Sequence, residues 1–396
     1  MTSVTDVTKY LIAFSTVPGV GAVRLKLLVN YFGSAEAAWK ARETELANVG
    51  LPKDVLPQLL EQKVKLNVDQ YVENLNDRGI NFVTIFDRDY PERLRNIPDP
   101  PNVMFFKTGE MYVANRGREQ QPTSSLLGEM VAGRTIGVVG TRKITAYGQE
   151  VTEKLVAELV VAGFTIVSGM ALGVDGVAHG TAVNARGKTV AVLGAGVEVV
   201  YPPSHRDLYN SILEHGGIIA SEVAPEKTVV RGIFPARNRI ISGLSEAVLV
   251  TEGAIDSGSL ITARAALEQG REVFAVPGPI NSPMAEGTNY LLKQGAKLVT
   301  GVEDILTELG YETSSNGQAK AGITGKKQVT GDTAEEQKVI DLLANEPVEF
   351  DELVRKMAVA PAQLSSVLSM MEIKGMVKGE SLKYRLKFDG ADKIVR

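Results

Sequence analysis

A chain of 396 residues is too long for one ordinary domain, and 44% apolar with 23% charged residues is the make-up of a folded globular protein, not a disordered one. No cysteine and only three histidines exclude disulfides and thiolate chemistry and argue against a His-rich metal site, so neither metal nor cofactor is expected. A net charge of −4 argues against coating nucleic acid through a bulk positive field, but it leaves room for a local basic groove.

Residues 1–80 read as helical, with apolar stretches such as LIAFSTV, VRLKLLVNYF and DVLPQLLEQKVKLNV broken by Gly, Pro and Ser. The start, MTSVTDVTKY, lacks the charged region and apolar core of a signal peptide, and no apolar run reaches the ~18 residues of a membrane span. A cytoplasmic protein without membrane contact is the expectation. VPGVGAVRLKLLVNYFGS (17–34) places a Pro-Gly-Val-Gly turn between apolar helices, as in a helix-hairpin-helix or SAM-like domain, with a poorer copy at ELANVGLPKDVLPQL. Such a turn offers amides to a DNA phosphate, and equally it serves plain helix packing.

Residues 81–134 form a connecting region that is extended and rich in proline, with a polar surface excursion at 111–130. Over 135–311 short β-branched runs (TIGVVG, FTIVSG, TVAVLGAG, GIIASEV, EAVLVTEG, EVFAVPG, AKLVTG) alternate with helical stretches, the pattern of an α/β, Rossmann-like parallel sheet. Helices are expected at about 147–162 and 177–185. A Gly-, Ser-, Thr- and Lys-rich linker spans 312–334. Residues 335–396 hold three helical pieces and a two-stranded ribbon, VKGESLKYRLKF, which predicts a winged-helix domain. Its third helix, APAQLSSVLSMMEIKG, is nearly uncharged, which favours contact with protein over DNA.

Loops at the carboxyl ends of parallel strands gather backbone amides and helix N-termini around one crevice, where anions bind. Gly140, Thr141 and Arg142 form the first such loop: small residues permit close approach, and an arginine fork grips phosphate oxygens. The plain alternative is a tight turn with a surface arginine. In VSGMALGVDGVAHGTA (167–182), Ser168 and Gly169 offer unhindered amides, and Asp175 is placed to cap the helix carrying His179. An Asp and a His four apart also fit acid–base catalysis, but capping and local packing are preferred. Gly194 sits in a third loop, GAG, where the full G-x-G-x-x-G spacing is missing; this counts against an NAD enzyme. GIFPARNRIISG (232–243) reads as an extended segment entering the sheet, which points Arg237 and Arg239 to one side and leaves Asn238 to brace the loop. Ser257, Gly258 and Ser259 sit at a helix N-terminus, and a fifth loop carries Pro277-Gly278 and Gly287-Thr288-Asn289. Walker A, H-E-x-x-H and G-x-S-x-G motifs are missing, so no catalytic residue is assigned.

Residues 135–305 resemble the DNA-processing protein A family (DprA, also called Smf), through GVVGTR, VSGMALGVDGVAH, GKTVAVLGAG, FPARNRIISGLS, TEGAIDSGSLITARAALEQGREVFAVPG and EGTNYLLKQGA in order. YPERLRNIPDPPNVMFFKTG (90–109) resembles the family's lead-in. The resemblance implies a homodimeric, non-catalytic protein that binds single-stranded DNA in natural transformation, protects the incoming strand and loads the RecA recombinase. It also implies that Arg142, Ser168, Gly169, Arg237 and Arg239 line the phosphate cleft, and that helices near the end of the Rossmann-like region supply the dimer and RecA surfaces. His205 stands where the family more often has Asn.

Two alternatives are carried. A nucleotide phosphoribohydrolase of the lysine-decarboxylase-like type shares a related core, but its P-G-G-x-G-T-x-x-E run is replaced here by EGAIDSGSLITA. A nucleotide-sensing domain that signals through the wing is the other.

Overall fold

The computed structural model describes residues 6–109, 125–229, 232–311, 333–343, 348–374, 376–380 and 383–386. It divides into two units, Met1–Thr313 and Ser314–Arg396. Residues 111–124 of the expected excursion and 312–332 of the expected linker lie outside the described residues.

The first unit opens with helices that include Asp6–Ser15, Ala22–Phe32, Ala35–Lys40, Val55–Lys65 and Val68–Asp77. Their buried faces (Leu11, Phe14, Leu28, Trp39, Leu59, Leu75) form one cluster with Phe105, Leu193, Val197 and Ile212 from the sheet region. The helical segment is therefore packed onto the sheet through a shared core. Polar contacts fix the same junction: Tyr71 Oη donates to Glu226 at 3.1 Å, and Arg78 pairs with Glu198.

Nine strands follow: β1 (Asn81–Thr84), β2 (Val103–Thr108), β3 (Thr135–Val139), β4 (Thr165–Ser168), β5 (Thr189–Val192), β6 (Ile218–Ser221), β7 (Ala247–Val250), β8 (Glu272–Ala275) and β9 (Lys297–Leu298). They form one sheet in the order β1-β2-β6-β5-β4-β3-β7-β8-β9. β3 to β9 run parallel, whereas β2 pairs antiparallel with β6 and β1 antiparallel with β2. The stretch that reads in sequence as a connector thus contributes two strands to the main sheet. Each of β3 to β7 is buried at every position, which is why these strands are β-branched and apolar without alternation.

Helices Ala146–Val161 and Val174–Asn184 pack on one face, through Leu155, Val156, Ala178 and Ala182. Helices Ser125–Ala132, Ile233–Gly243 and Gly258–Glu268 cover the other, through Leu127, Met130, Ile240, Ile241, Ala263 and Ala266. Successive connections change face between β3 and β7, so the topological switch point lies at their carboxyl ends.

Three expectations are corrected. Residues 125–130 are not surface excursion but a helix that buries Leu126, Leu127 and Met130, because its apolar residues recur at helical spacing against β1 and β2. The helix carrying His179 starts at Val174, three residues earlier than expected. In the second unit, helices Ala334–Leu343, Phe350–Met357 and Pro361–Ile373 accompany β10 (Val348–Glu349), β11 (Val377–Glu380) and β12 (Lys383–Leu386). The ribbon therefore gains a third strand, in the order β10-β12-β11.

Candidate functional site

The segment GIFPARNRIISG is a helix, Ile233–Gly243, and not an extended approach to the sheet. Gly232 at φ 85 admits the chain, and Pro235 falls in the first turn, where no intrahelical N–H is needed. Arg237, Ile240, Ile241 and Leu244 are among its buried positions, spaced i, i+3, i+4 and i+7. Two residues apart on a helix lie about 200° apart, so Arg237 and Arg239 diverge.

Arg237 is 4% exposed and points under the carboxyl edge of the sheet. Its Nη1 donates to the Val192 carbonyl at 2.6 Å, while its Nε is buried without a partner. The guanidinium packs directly over Gly169: a Cβ there would lie 1.7 Å from Arg237 Nη1, so any larger residue would displace the guanidinium. Burial holds the Arg237 guanidinium below its ordinary value; nearby Asp175 opposes this, and Arg142 reinforces it. Asp175 does not cap its helix, whose N-cap is Gly173. Its carboxylate folds back to accept from the amides of Gly169 at 3.1 Å and Ala171 at 3.3 Å, because the buried Arg237 charge draws it toward the loop. Burial pushes the Asp175 carboxyl up, and Arg237 and those two amides hold it down.

Arg239 is not in the crevice. It pairs with Asp99 at 2.8 Å and Glu222 at 2.7 Å, joining the segment before β2 to the end of β6. Burial lowers the Arg239 value, but the two carboxylates outweigh it and raise the guanidinium above its ordinary range. Asn238 Nδ2 donates to the Gly258 carbonyl at 3.2 Å, tying this helix to the next.

A cavity of about 80 Å³ opens beside Arg237. It is lined by Arg142, by Gly169, Ala171 and Leu172 after β4, by Leu193, Gly194 and Ala195 after β5, and by Tyr201, Val229 and Phe234. Arg142 lies over the Phe234 ring, 5.1 Å from its centroid, and the Tyr201 and Phe234 rings are 6.0 Å apart at 36°. The structure thus brings Arg142, Gly169, Gly194 and Arg237 together. Ser168 lies beneath, its Oγ donating to the Val138 carbonyl at 2.6 Å. Ser257, Gly258 and Ser259 are at the same sheet edge but outside the cavity; Ser257 caps its helix by accepting from Ser259 N. His179 is buried, with Nδ1 2.7 Å from Thr189 Oγ1, and burial, His205 and Arg237 lower it to about 3. His205 Nδ1 lies 3.0 Å from the Met170 carbonyl, bracing the Gly169 loop.

Glu252 was not singled out from the sequence. It is 3% exposed, and its carboxylate accepts from Thr145 N at 2.9 Å and Thr145 Oγ1 at 2.5 Å. The Glu252 carbonyl accepts from Thr141 N at 2.7 Å. One residue therefore closes the switch point between β3 and β7 and fixes both ends of the Arg142 loop; Gly140 sits against the same carbonyl. The open crevice lies instead over β4 and β5. Tyr201 and Phe234, 33 positions apart, were also not assigned to the site; nothing in their local sequence marks the pairing.

The family model for DNA recombination-mediator protein A matches residues 126–310, and that for the DprA winged helix domain matches 326–380. Protein Smf of Synechocystis is 35% identical, with 94% of this chain and 96% of the relative covered. The chain belongs to the DprA family. Among other relatives, DNA processing protein DprA of Bacillus subtilis is 40% identical over 68% of this chain and 88% of its own length. The solved DprA structure from Streptococcus pneumoniae superposes with a TM-score of 0.62 at 29% identity, covering 78% of this chain and 99% of that one. The recombination-mediator match spans β3 to β9, the cavity and the Ile233–Gly243 helix, so the α/β core and the winged helix expected from sequence are both present.

Proposed function

We propose that this chain is a non-catalytic DprA that binds single-stranded DNA in natural transformation, protects it and passes it to the RecA recombinase, acting as a homodimer. The observation that carries the reading is the pairing of buried Arg237, whose Nε has no partner, with exposed Arg142 on Phe234 at the mouth of one cavity. Cations beside aromatic faces suit a phosphate chain with unstacked bases, and duplex DNA hides those faces. The non-catalytic reading is supported by Asp175, whose carboxylate accepts from two loop amides, and by His179, whose ring is fully buried with Nδ1 against Thr189. An unpaired sheet edge at β9, with Leu298 52% and Tyr290 45% exposed, supports a protein surface near the end of the Rossmann-like region.

Gel shifts with matched single-stranded and duplex oligonucleotides, alongside pull-down with the host recombinase, test it. Arg142→Ala and Arg237→Ala are expected to weaken single-strand binding at least tenfold at low salt, by loss of charge-assisted contacts. Unchanged affinity in both variants would sink the assignment, and release of free base from a nucleoside monophosphate would favour the hydrolase.

A further inference from the structure

The carboxyl edge of the sheet continues past the cavity. On the far side of β3 the loops after β3, β7 and β8 touch: Tyr147 Oη donates to the Pro277 carbonyl at 2.7 Å, Gly253 N to the Met284 carbonyl at 2.8 Å, and Thr141 Oγ1 lies 3.6 Å from Met284 Sδ. Three large side chains stand out here, Tyr147 from the first turn of the Ala146–Val161 helix and Ile255 and Ile280 from the loops: they are 41%, 50% and 98% exposed. One exposed apolar side chain needs no explanation, but three on adjoining segments of the sheet edge that carries the cavity mark it as an apolar patch.

Arg142 and Lys143, both exposed, occupy the loop between the cavity and this patch. The patch itself has an acidic field. Asp256 is exposed beside Ile255, and burial, with Glu252 and Glu150 nearby, raises the Tyr147 phenol above its ordinary value. Phosphates are repelled there and attracted to the basic loop next to it, which leaves the patch to uncharged bases.

We propose that Tyr147, Ile255 and Ile280 form a second base-contact station, reached by a DNA single strand that leaves the cavity with its phosphates on Arg142 and Lys143. This rests on the reading of the cavity as a single-strand site. From the β5 loop to the β8 loop is four strand spacings, about 19 Å, so only a strand several nucleotides long reaches both. Contact through an aromatic face and aliphatic side chains is sequence-tolerant.

Fluorescence anisotropy with oligothymidylates of graded length, on the full chain, tests the station. The parent should gain affinity once the oligonucleotide spans both places. The double variant Tyr147→Ala/Ile280→Ser should bind the shortest oligonucleotides like the parent and bind long ones at least about fivefold more weakly. Tyr147→Phe, which keeps the ring and removes the Pro277 bond, should retain long-strand affinity. Parent-like binding of every length by the double variant overturns the station, as does equal loss at every length. A change in its sedimentation mass without a change in DNA affinity also overturns it, by assigning the patch to protein contact. Arg237→Ala should instead lose short and long strands alike; a parent that binds no oligonucleotide overturns the cavity reading and the station with it.

Discussion

Arg237 and Arg239 differ in what their burial serves. Arg237 keeps an unpartnered Nε beside a cavity, whereas Arg239, its side chain 13% exposed, is neutralised by Asp99 and by Glu222, which is 18% exposed. Removing Arg239 strands the Glu222 carboxylate, so Arg239→Ala should cost about 3 kcal/mol of stability in urea unfolding and leave single-strand affinity of the folded fraction unchanged. A tenfold affinity loss with unchanged stability would return Arg239 to the phosphate cleft. His179 makes a second prediction. Its folded value, about 3, lies below the ordinary 6.5, so the unfolded chain binds the extra proton in that interval. Its contribution is complete above pH 6.5 and declines as pH falls toward 3, amounting to a loss of about 2 kcal/mol by pH 5. Unfolding midpoints at pH 7 and 5 should show this loss in the parent and much less of it in His179→Gln.

Among the elements, the loop from Gly140 to Thr145 decides where Arg142 stands, and Glu252 decides where the loop stands. Glu252→Ala removes two bonds to a carboxylate, each worth about 1.5–3 kcal/mol, and frees the helix start at Thr145. The expected outcome is single-strand affinity lowered to nearly that of Arg142→Ala, with partial rescue by Glu252→Gln, which still accepts from Thr145; titration by anisotropy reads both. If Glu252→Ala binds like the parent, the loop holds its shape without the pin. Strands β3 to β8 and the helices between them were legible from sequence because full burial forces β-branched apolar runs, and a helix-covered sheet leaves few other ways to arrange them. The Ile233–Gly243 helix was misread for a physical reason: Pro235 and the β-branched Ile240-Ile241 pair imitate an extended segment, and its helical spacing shows only when buried Arg237 is counted with the apolar positions. Arg142, Gly169, Gly194 and Arg237 could be named in advance because strand-end loops converge. Arg239 could not be separated from them without knowing which way the helix turns, nor could Tyr201 be paired with Phe234.

In the molecule as a whole, every residue lining the cavity belongs to Met1–Thr313, which has its own continuous cores, while the winged helix of Ser314–Arg396 has a separate one built on Leu353, Leu364 and Leu368. No side chain of the second unit is needed to build the cavity. A chain ending at residue 313 should therefore fold and bind single-stranded DNA with the parent's affinity to within about threefold, since the cavity and the cores beneath it are built from that unit's own residues. Salt dependence makes the comparison sharper. The net charge is −4, so attraction comes from the few cations at the site rather than from a general field. If Arg142, Lys143 and Arg237 each neutralise one phosphate, log K against log salt has a slope of about −2, from ~0.7 per single-strand phosphate. The shortened chain should keep that slope, and Arg142→Ala should lower it by about 0.7 in either background. A slope that collapses on removal of 314–396 would place phosphate contacts on the winged helix, against the nearly uncharged exposed face of its third helix, Pro361–Ile373.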